Sequence, residues 1–286
     1  MQNKQSQFTL LWMKIPLVIR AIILGFSIST LGVTIWAIAP AFIPGIWSVV
    51  FMAIILILFI RFFSGKWIKN TTQQFRKDNF KSTKLSSYKL KWGVLAALLM
   101  AFIVQASLTF IFRLMEYPEA MFKAEYEIIG KLPVASAWIF IIMASLVAGI
   151  CEEVGYRGYL QTPLEKKYGA KIAIGITSAV FVVIHLHQAW APSIIPLIFM
   201  ASALLGYMSY CFKSIIPGII AHVTFDIFNF SYWWSDLLGK FTLQPISKTG
   251  VDQHFVLTCL VLLTSIAAFI FINRMVKNKE TLQTAH

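Results

Sequence analysis

Charge is what this sequence has least of. Asp, Glu, Lys and Arg make up 13% of its 286 residues and hydrophobic residues 58%, with a mean hydropathy of +0.73. That scarcity excludes a soluble two-domain protein and leaves a polytopic membrane protein. Cysteine is sparse as well. Cys151, Cys211 and Cys259 lie far apart and form no CxxC pair, which excludes a disulfide framework and a thiolate zinc site. Acidic residues are outnumbered, 12 against 25 basic, but the net charge of +13 is no nucleic-acid footprint. Nine Lys/Arg against one Asp between Arg61 and Lys91 put +8 of it in one loop, a topology signal first and a lipid head-group contact second. The chain has no glycine-rich phosphate loop, low-complexity tract or internal repeat, so a single membrane domain is the economical division. It also lacks HExxH, GxGD and GxSG, which excludes the metalloprotease helix, the GxGD aspartyl motif and the GxSG serine motif.

What is there is a series of apolar runs. Hydropathy predicts eight spans, about Ala21–Ala39, Ile46–Phe63, Trp92–Phe112, Ala135–Tyr159, Ile172–Trp190, Ile194–Phe212, Ile215–Phe230 and Phe255–Ile272. The runs are continuously apolar rather than alternating, and lipid demands internally satisfied backbone hydrogen bonds, so the expected fold is an all-α bundle and not a barrel. The first run ends in Ala37-Ile38-Ala39 like a signal peptide, but it is long for one and Pro40 sits where cleavage would occur, so it is read as an uncleaved span. Placing the amino terminus in the cytoplasm puts 20 of the 25 Lys/Arg on that side, and an even number of spans returns the carboxyl terminus there. The expected division is 1–20 as a cytoplasmic amino terminus, 21–134 as accessory helices with the basic loop 61–91, 135–230 as the core, and 231–286 as an outside loop, last span and cytoplasmic tail. In the basic loop Trp67, Phe75, Phe80 and Tyr88 alternate with cations, which suits either a helix lying among head groups or a solvated loop. The outside segment Arg113 to Pro133 is read as an amphipathic lid or a linker.

Six ionisable side chains fall at membrane depth: Glu152, Glu153, Arg157, His185, His222 and Asp226. Each costs about 2.5–3.5 kcal/mol at a helix centre on insertion scales, so such groups face a bundle interior and mark a pathway or a site. A lone histidine there is commonly a satisfied core residue, but six groups on three nearby spans point to function. Glu153 and Arg157 are i,i+4 and share a face, as do His222 and Asp226. Glu152 points about 100° away from Glu153 on an α-helix, which leaves it the freer carboxylate. Gly155 and Gly158 offer a small surface to a neighbouring helix or a substrate backbone. Counted at 1.5 Å per residue, Glu152 lies roughly 12 Å, His222 roughly 10 Å, Asp226 roughly 16 Å and His185 roughly 20 Å from the cytoplasmic boundary. His185 is therefore expected to stand highest.

A buried carboxylate beside a neutral histidine can hold and deprotonate a water, and a second histidine with a polar neighbour can donate to the oxyanion of a tetrahedral intermediate. That set would hydrolyse an amide bond. Equally, Glu152, His185 and His222 form a His₂Glu set like that of a catalytic zinc site. The two mechanisms share the same general-base logic.

The motifs EExxxR at Glu152, Glu153 and Arg157, FxxxH at Phe181 and His185, and HxxxN/D at His222 and Asp226 stand in that order on successive helices. The set resembles the CPBP family of intramembrane proteases, which includes the type II CAAX prenyl endopeptidases and bacterial Abi-type proteins linked to bacteriocin self-immunity. The resemblance covers about Ala135 to Phe230. It implies an eight-helix bundle with a cavity open to the cytoplasmic side, Glu152 as the base that activates water, His185 assisting it, and His222 with Asp226 as the oxyanion-stabilising pair. Glu153 and Arg157 are supporting residues. Asp226 stands where the prenyl proteases carry Asn, and an ionised Asp cannot donate to an oxyanion, so it must be protonated, orient His222 or bind metal. The family has been treated both as zinc enzymes and as metal-independent glutamate proteases, so zinc on Glu152, His185 and His222 is an open alternative.

The expectation is an intramembrane endopeptidase, multi-pass in a bacterial plasma membrane, whose partners are the lipid bilayer and a membrane-associated peptide or protein, with no nucleic acid. One rival is a non-catalytic scaffold, such as a self-immunity or regulatory protein that uses the same polar cavity. Another is a transporter with a proton relay through Glu152 and His185, disfavoured because the two halves show no matching interrupted helices.

Overall fold

The computed structural model describes residues 7–115, 130–186, 194–235 and 244–284. Its helices are α1 Gln7–Lys14, α2 Leu17–Phe42, α3 Ile46–Phe63, α4 Gln73–Phe80, α5 Ser87–Leu114, α6 Val134–Glu152, a π-helix Glu153–Gln161, α7 Thr162–Tyr168, α8 Ala170–Ile184, α9 Ile194–Phe212, α10 Ile216–Ser235 and α11 Gln253–Thr284. The protein is an all-α, multi-pass membrane protein. Most of the predicted lid or linker, and the end of the predicted span Ile172–Trp190, lie outside the described residues.

Among the described residues six helices are long and apolar enough to cross a membrane: Leu17–Phe42, Ile46–Phe63, Ser87–Leu114, Val134–Tyr168, Ile194–Phe212 and Gln253–Lys279. The two remaining predicted spans correspond to α8 and α10. α8 is apolar but has only 15 residues, about 22 Å at 1.5 Å per residue, short of a hydrocarbon core of about 30 Å. α10 has 20 residues, but they include His222, Thr224, Asp226 and Asn229. The helices that fall short of a lipid-spanning element are thus the ones that bring histidines to the polar cluster.

Three apolar clusters hold the bundle. One joins α5, α9, α10 and α11 around Met100, Phe112, Phe212 and Phe269. A second joins α2, α3 and α6 around Met52, Val147 and Cys151. The third packs Tyr156, Leu160 and Leu164 against Phe181 of α8. Lipid tails are as apolar as leucine, so such packing rests on close van der Waals fit. α2 supplies the closest fit. A Cβ on Gly32 would lie 2.2 Å from Cys151 Sγ, and one on Gly155 would lie 2.5 Å from the Gly25 carbonyl and 2.8 Å from Ser29 Cβ. Gly155 therefore receives a neighbouring helix, and Gly158 abuts the Asn79 carbonyl at 2.9 Å on the same measure.

The basic segment after α3 contains the short helix α4. It folds into the body. Arg76 of α4 is buried and donates to the carbonyls of Phe62, Trp67 and Ile68 and to Asn70 Oδ1, closing the turn that precedes it. Lys81 pairs with Glu165 at 2.8 Å, and Tyr159 Oη donates to the Phe63 carbonyl at 2.8 Å. Ser82 and Ser214 form an antiparallel bridge, next to a bond from Ile215 N to the Lys81 carbonyl. The residue before each bridged serine, Lys81 and Lys213, is left-handed at φ 51°, an uncommon state for a non-glycine residue. The segment is thereby fixed across the end of the π-helix, while Trp67 and Phe75 remain exposed.

Candidate active site

The motif around Glu152 straddles a change of helix type. α6 is α-helical through Glu152 and continues as nine residues of π-helix, all buried. π turns are rare, mostly single bulges, and frequent at functional sites. The α-helical spacing assumed from sequence therefore needs correction beyond Glu153. The i,i+4 pair nevertheless forms, with Arg157 Nη1 3.1 Å from Glu153 Oε1 and both side chains fully buried. Arg157 Nη2 also donates to the carbonyl and the hydroxyl of Ser202 on α9, at 3.1 Å each. Its guanidinium lies 5.1 Å from the centre of the Phe181 ring, within cation–π range.

Glu153 does more than sequence reasoning assigned to it. The oxygen that meets Arg157 also accepts from His222 Nδ1 at 3.0 Å. A carboxylate only accepts, so Nδ1 carries the proton, and Nε2 is the lone-pair nitrogen of the neutral ring or a second donor of the protonated one. Nε2 lies 3.9 Å from Glu152 Oε2 and 3.7 Å from Asp226 Oδ2. These are ion-pair distances and too long for hydrogen bonds. Orientation of His222, one of the roles open to Asp226, is thus performed by Glu153. Glycine at 218 makes room for it, because a Cβ there would stand 2.7 Å from Glu153 Oε2.

Glu152, the last residue of α6, is less deeply buried than Glu153, at 12% against 0% side-chain exposure. The Oε2 atoms of both are buried and have no hydrogen-bond donor among the described residues. Buried carboxylate oxygens are ordinarily bonded. Two orphans beside an oriented imidazole give this cluster more acceptors than its own donors use.

His185 is joined to the cluster through Phe181. It follows the last residue of α8, stacks on the Phe181 ring at 4.3 Å and places Nδ1 2.8 Å from the Phe181 carbonyl. That carbonyl accepts, so Nδ1 again carries the proton and Nε2 the lone pair. Phe181 also lies 6.5 Å from the His222 ring and 5.2 Å from Tyr156. Sequence reasoning used Phe181 only as a motif letter and passed over Ser202. Phe181 carried a signal in its i,i+4 relation to His185, whereas Ser202 carried none.

Among the described residues no group of three His, Cys, Asp or Glu side chains is arranged to hold a metal ion. Each imidazole commits Nδ1 to an oxygen, which leaves Nε2 as the nitrogen that can meet water, substrate or metal.

Residues 134–228 match the family model described as Rce1-like, type II CAAX prenyl endopeptidase Rce1-like. No curated protein and no solved structure matches the chain. The matched segment runs from the start of α6 into α10 and carries Glu152, Glu153, Arg157, His185, His222 and Asp226. Residues 134–228, with the ordered motifs they hold, are thus similar to the Rce1-like type II CAAX prenyl endopeptidase family.

Proposed function

We propose that the protein is an intramembrane endopeptidase that hydrolyses a peptide bond with a Glu152-activated water near the cytoplasmic side of the membrane. The observation that carries this reading is the pairing of a buried, under-bonded Glu152 carboxylate with an imidazole whose other nitrogen is fixed by Glu153. Glu152 takes a proton from water, and the oxygen attacks the carbonyl carbon. The resulting oxyanion accepts from His222 Nε2–H of a protonated imidazole, the state in which both ring nitrogens donate. The C–N bond then breaks, and the proton held by Glu152 passes to the departing amine. His185, with its lone pair on Nε2, assists in holding the water. Asp226 lies 3.7 Å from His222 Nε2, where its charge favours the protonated ring. No step in this scheme passes through a metal.

In this reading residues 135–230 form the catalytic core, both termini are cytoplasmic, and the substrate is a membrane-associated peptide or protein. The setting proposed is a bacterial plasma membrane. The test is cleavage of a membrane-anchored CAAX peptide, prenylated or not, by purified protein in liposomes, with and without a chelator. The expected result is cleavage that survives chelation and falls by about 10²–10⁴-fold in Glu152→Ala, the usual contribution of a general base. Full activity of Glu152→Ala would overturn the scheme, and loss of wild-type activity on chelation would return the zinc alternative.

A further inference from the structure

Far from the polar cluster, α11 and the start of α5 enclose a groove of about 530 Å³, lined by Tyr88, Phe271, Arg274, Met275, Asn278 and Lys279. Its size falls in the range of about 300–1,000 Å³ typical of small-molecule sites. Phe271, Arg274, Met275 and Asn278 follow i, i+3, i+4, i+7 spacing and share one face of α11. Another stripe of the same helix, Phe269, Ile272 and Val276, is buried in the bundle. The groove face lies beside that packing stripe, with Met275 and Tyr88 partly buried against the same cluster.

Its chemistry changes along its length. Phe271 is exposed at the end nearer the apolar body of the span, and Met275 lies one turn on. Arg274, Asn278 and Lys279 follow toward the polar end, and none of the described residues that line the groove is acidic. From Phe271 to Lys279 is about 12 Å of helix at 1.5 Å per residue. Lys279 Nζ sits 3.8 Å over the Tyr88 ring, and Lys277 Nζ sits 4.9 Å from the Tyr210 ring. Tyrosine and cations paired at the end of a span mark the head-group level of a bilayer. An apolar wall continuing into two cations is complementary to a molecule with an acyl chain and an anionic phosphate at the corresponding depths.

We propose that this groove binds one anionic phospholipid, with its phosphate against Arg274 and Lys279 and its acyl chain against Phe271 and Met275. The site is independent of the peptidase reading, and its readout is lipid retention rather than cleavage. Full-length protein in a neutral detergent would be titrated with phosphatidylglycerol or phosphatidylcholine and followed by native mass spectrometry. Wild type is expected to retain one phosphatidylglycerol in preference to phosphatidylcholine. Arg274→Ala/Lys279→Ala should weaken that retention by roughly 10- to 30-fold, from the loss of two cations near a charged head group. Arg274→Lys/Lys279→Arg should retain it, which separates lost charge from lost fold. Lys166→Ala/Lys167→Ala removes the same charge at an exposed pair outside the groove and should leave it unchanged. Equal retention of the two lipids, equal weakening by the Lys166/Lys167 variant, or displacement of the lipid by millimolar inorganic phosphate would each overturn the proposal.

Discussion

Arg113 and Arg157 are both almost fully buried, and their surroundings differ in one respect that separates a staple from a site. Arg113, at the end of α5, donates to Asp252 Oδ2 at 2.7 Å, Thr249 Oγ1 at 2.9 Å and His254 Nδ1 at 2.9 Å, tying α5 to the start of α11. Asp252 uses its other oxygen to cap α11, accepting from Phe255 N at 2.8 Å. Both oxygens of that carboxylate are occupied, and its side chain is 39% exposed. Around Arg157 the carboxylates are more numerous and more buried, and Glu152 and Glu153 each retain an oxygen without a donor. The same residue types are used at both places. Of the two, only the second leaves buried carboxylate oxygens without a donor among the described residues, beside an Arg157 Nε that likewise lacks a partner, and such unfilled polar atoms are where a water can be held.

Substitutions can break this comparison in several ways. The largest effect is expected at Arg157. Arg157→Ala leaves Glu153 buried without its cation and should cost about 3–5 kcal/mol of stability, the range for breaking a buried pair from one side. Arg113→Ala should cost less, because the half-exposed Asp252 can rehydrate. Denaturation of the two purified variants in detergent would rank them, and an equal or larger loss for Arg113→Ala would erase the distinction. Next is His222→Ala, expected to lower the cleavage rate by about 10²–10³-fold, the usual cost of one oxyanion donor. Its melting temperature should fall by less than that of Arg157→Ala, because Glu153 loses one hydrogen bond and keeps its cation.

The fit between α2 and α6 gives a smaller effect. Gly32→Ala forces a methyl onto Cys151 Sγ, and overpacking of this kind typically costs about 1–3 kcal/mol. Gly32→Ala/Cys151→Ala should recover part of the loss in a thermal melt. The smallest effect concerns pH at the staple. The hydrogen bond from Arg113, then that from Phe255 N, holds the Asp252 carboxyl below its ordinary value of 3.8. A carboxylate depressed in the folded state stabilises above its unfolded value, and that contribution is lost as pH falls through the folded value. Wild type should therefore lose melting temperature in that acid window, and Asp252→Asn should lack this component.

Much of the helical architecture was legible because apolar runs respond directly to the bilayer. α3 and α9 begin and end where hydropathy put them. The polar cluster was legible for the same reason, since ionisable side chains are conspicuous against apolar helices. The i,i+4 pairing of Glu153 with Arg157 followed from local geometry that survives the change from α to π turns. Three features lay beyond periodicity. The π-helix depends on packing against α2 and Asn79, as Gly155 and Gly158 show. The bond from Glu153 to His222 joins residues 69 apart in sequence, and no spacing rule reaches that far. The folding of the basic loop rests on Arg76 meeting backbone carbonyls, which composition cannot distinguish from a cation facing solvent.

The central claim is that Glu152 performs chemistry, whereas Asp252, an acid that also stands beside a buried arginine cluster, serves structure. The most direct measurement compares Glu152→Gln and Asp252→Asn, each a near-isosteric removal of one charge, in the same liposome cleavage assay. The account expects Glu152→Gln to insert and fold but lose about 10²–10⁴-fold in rate, with Asp252→Asn cleaving as wild type does. Wild-type cleavage by Glu152→Gln would contradict it.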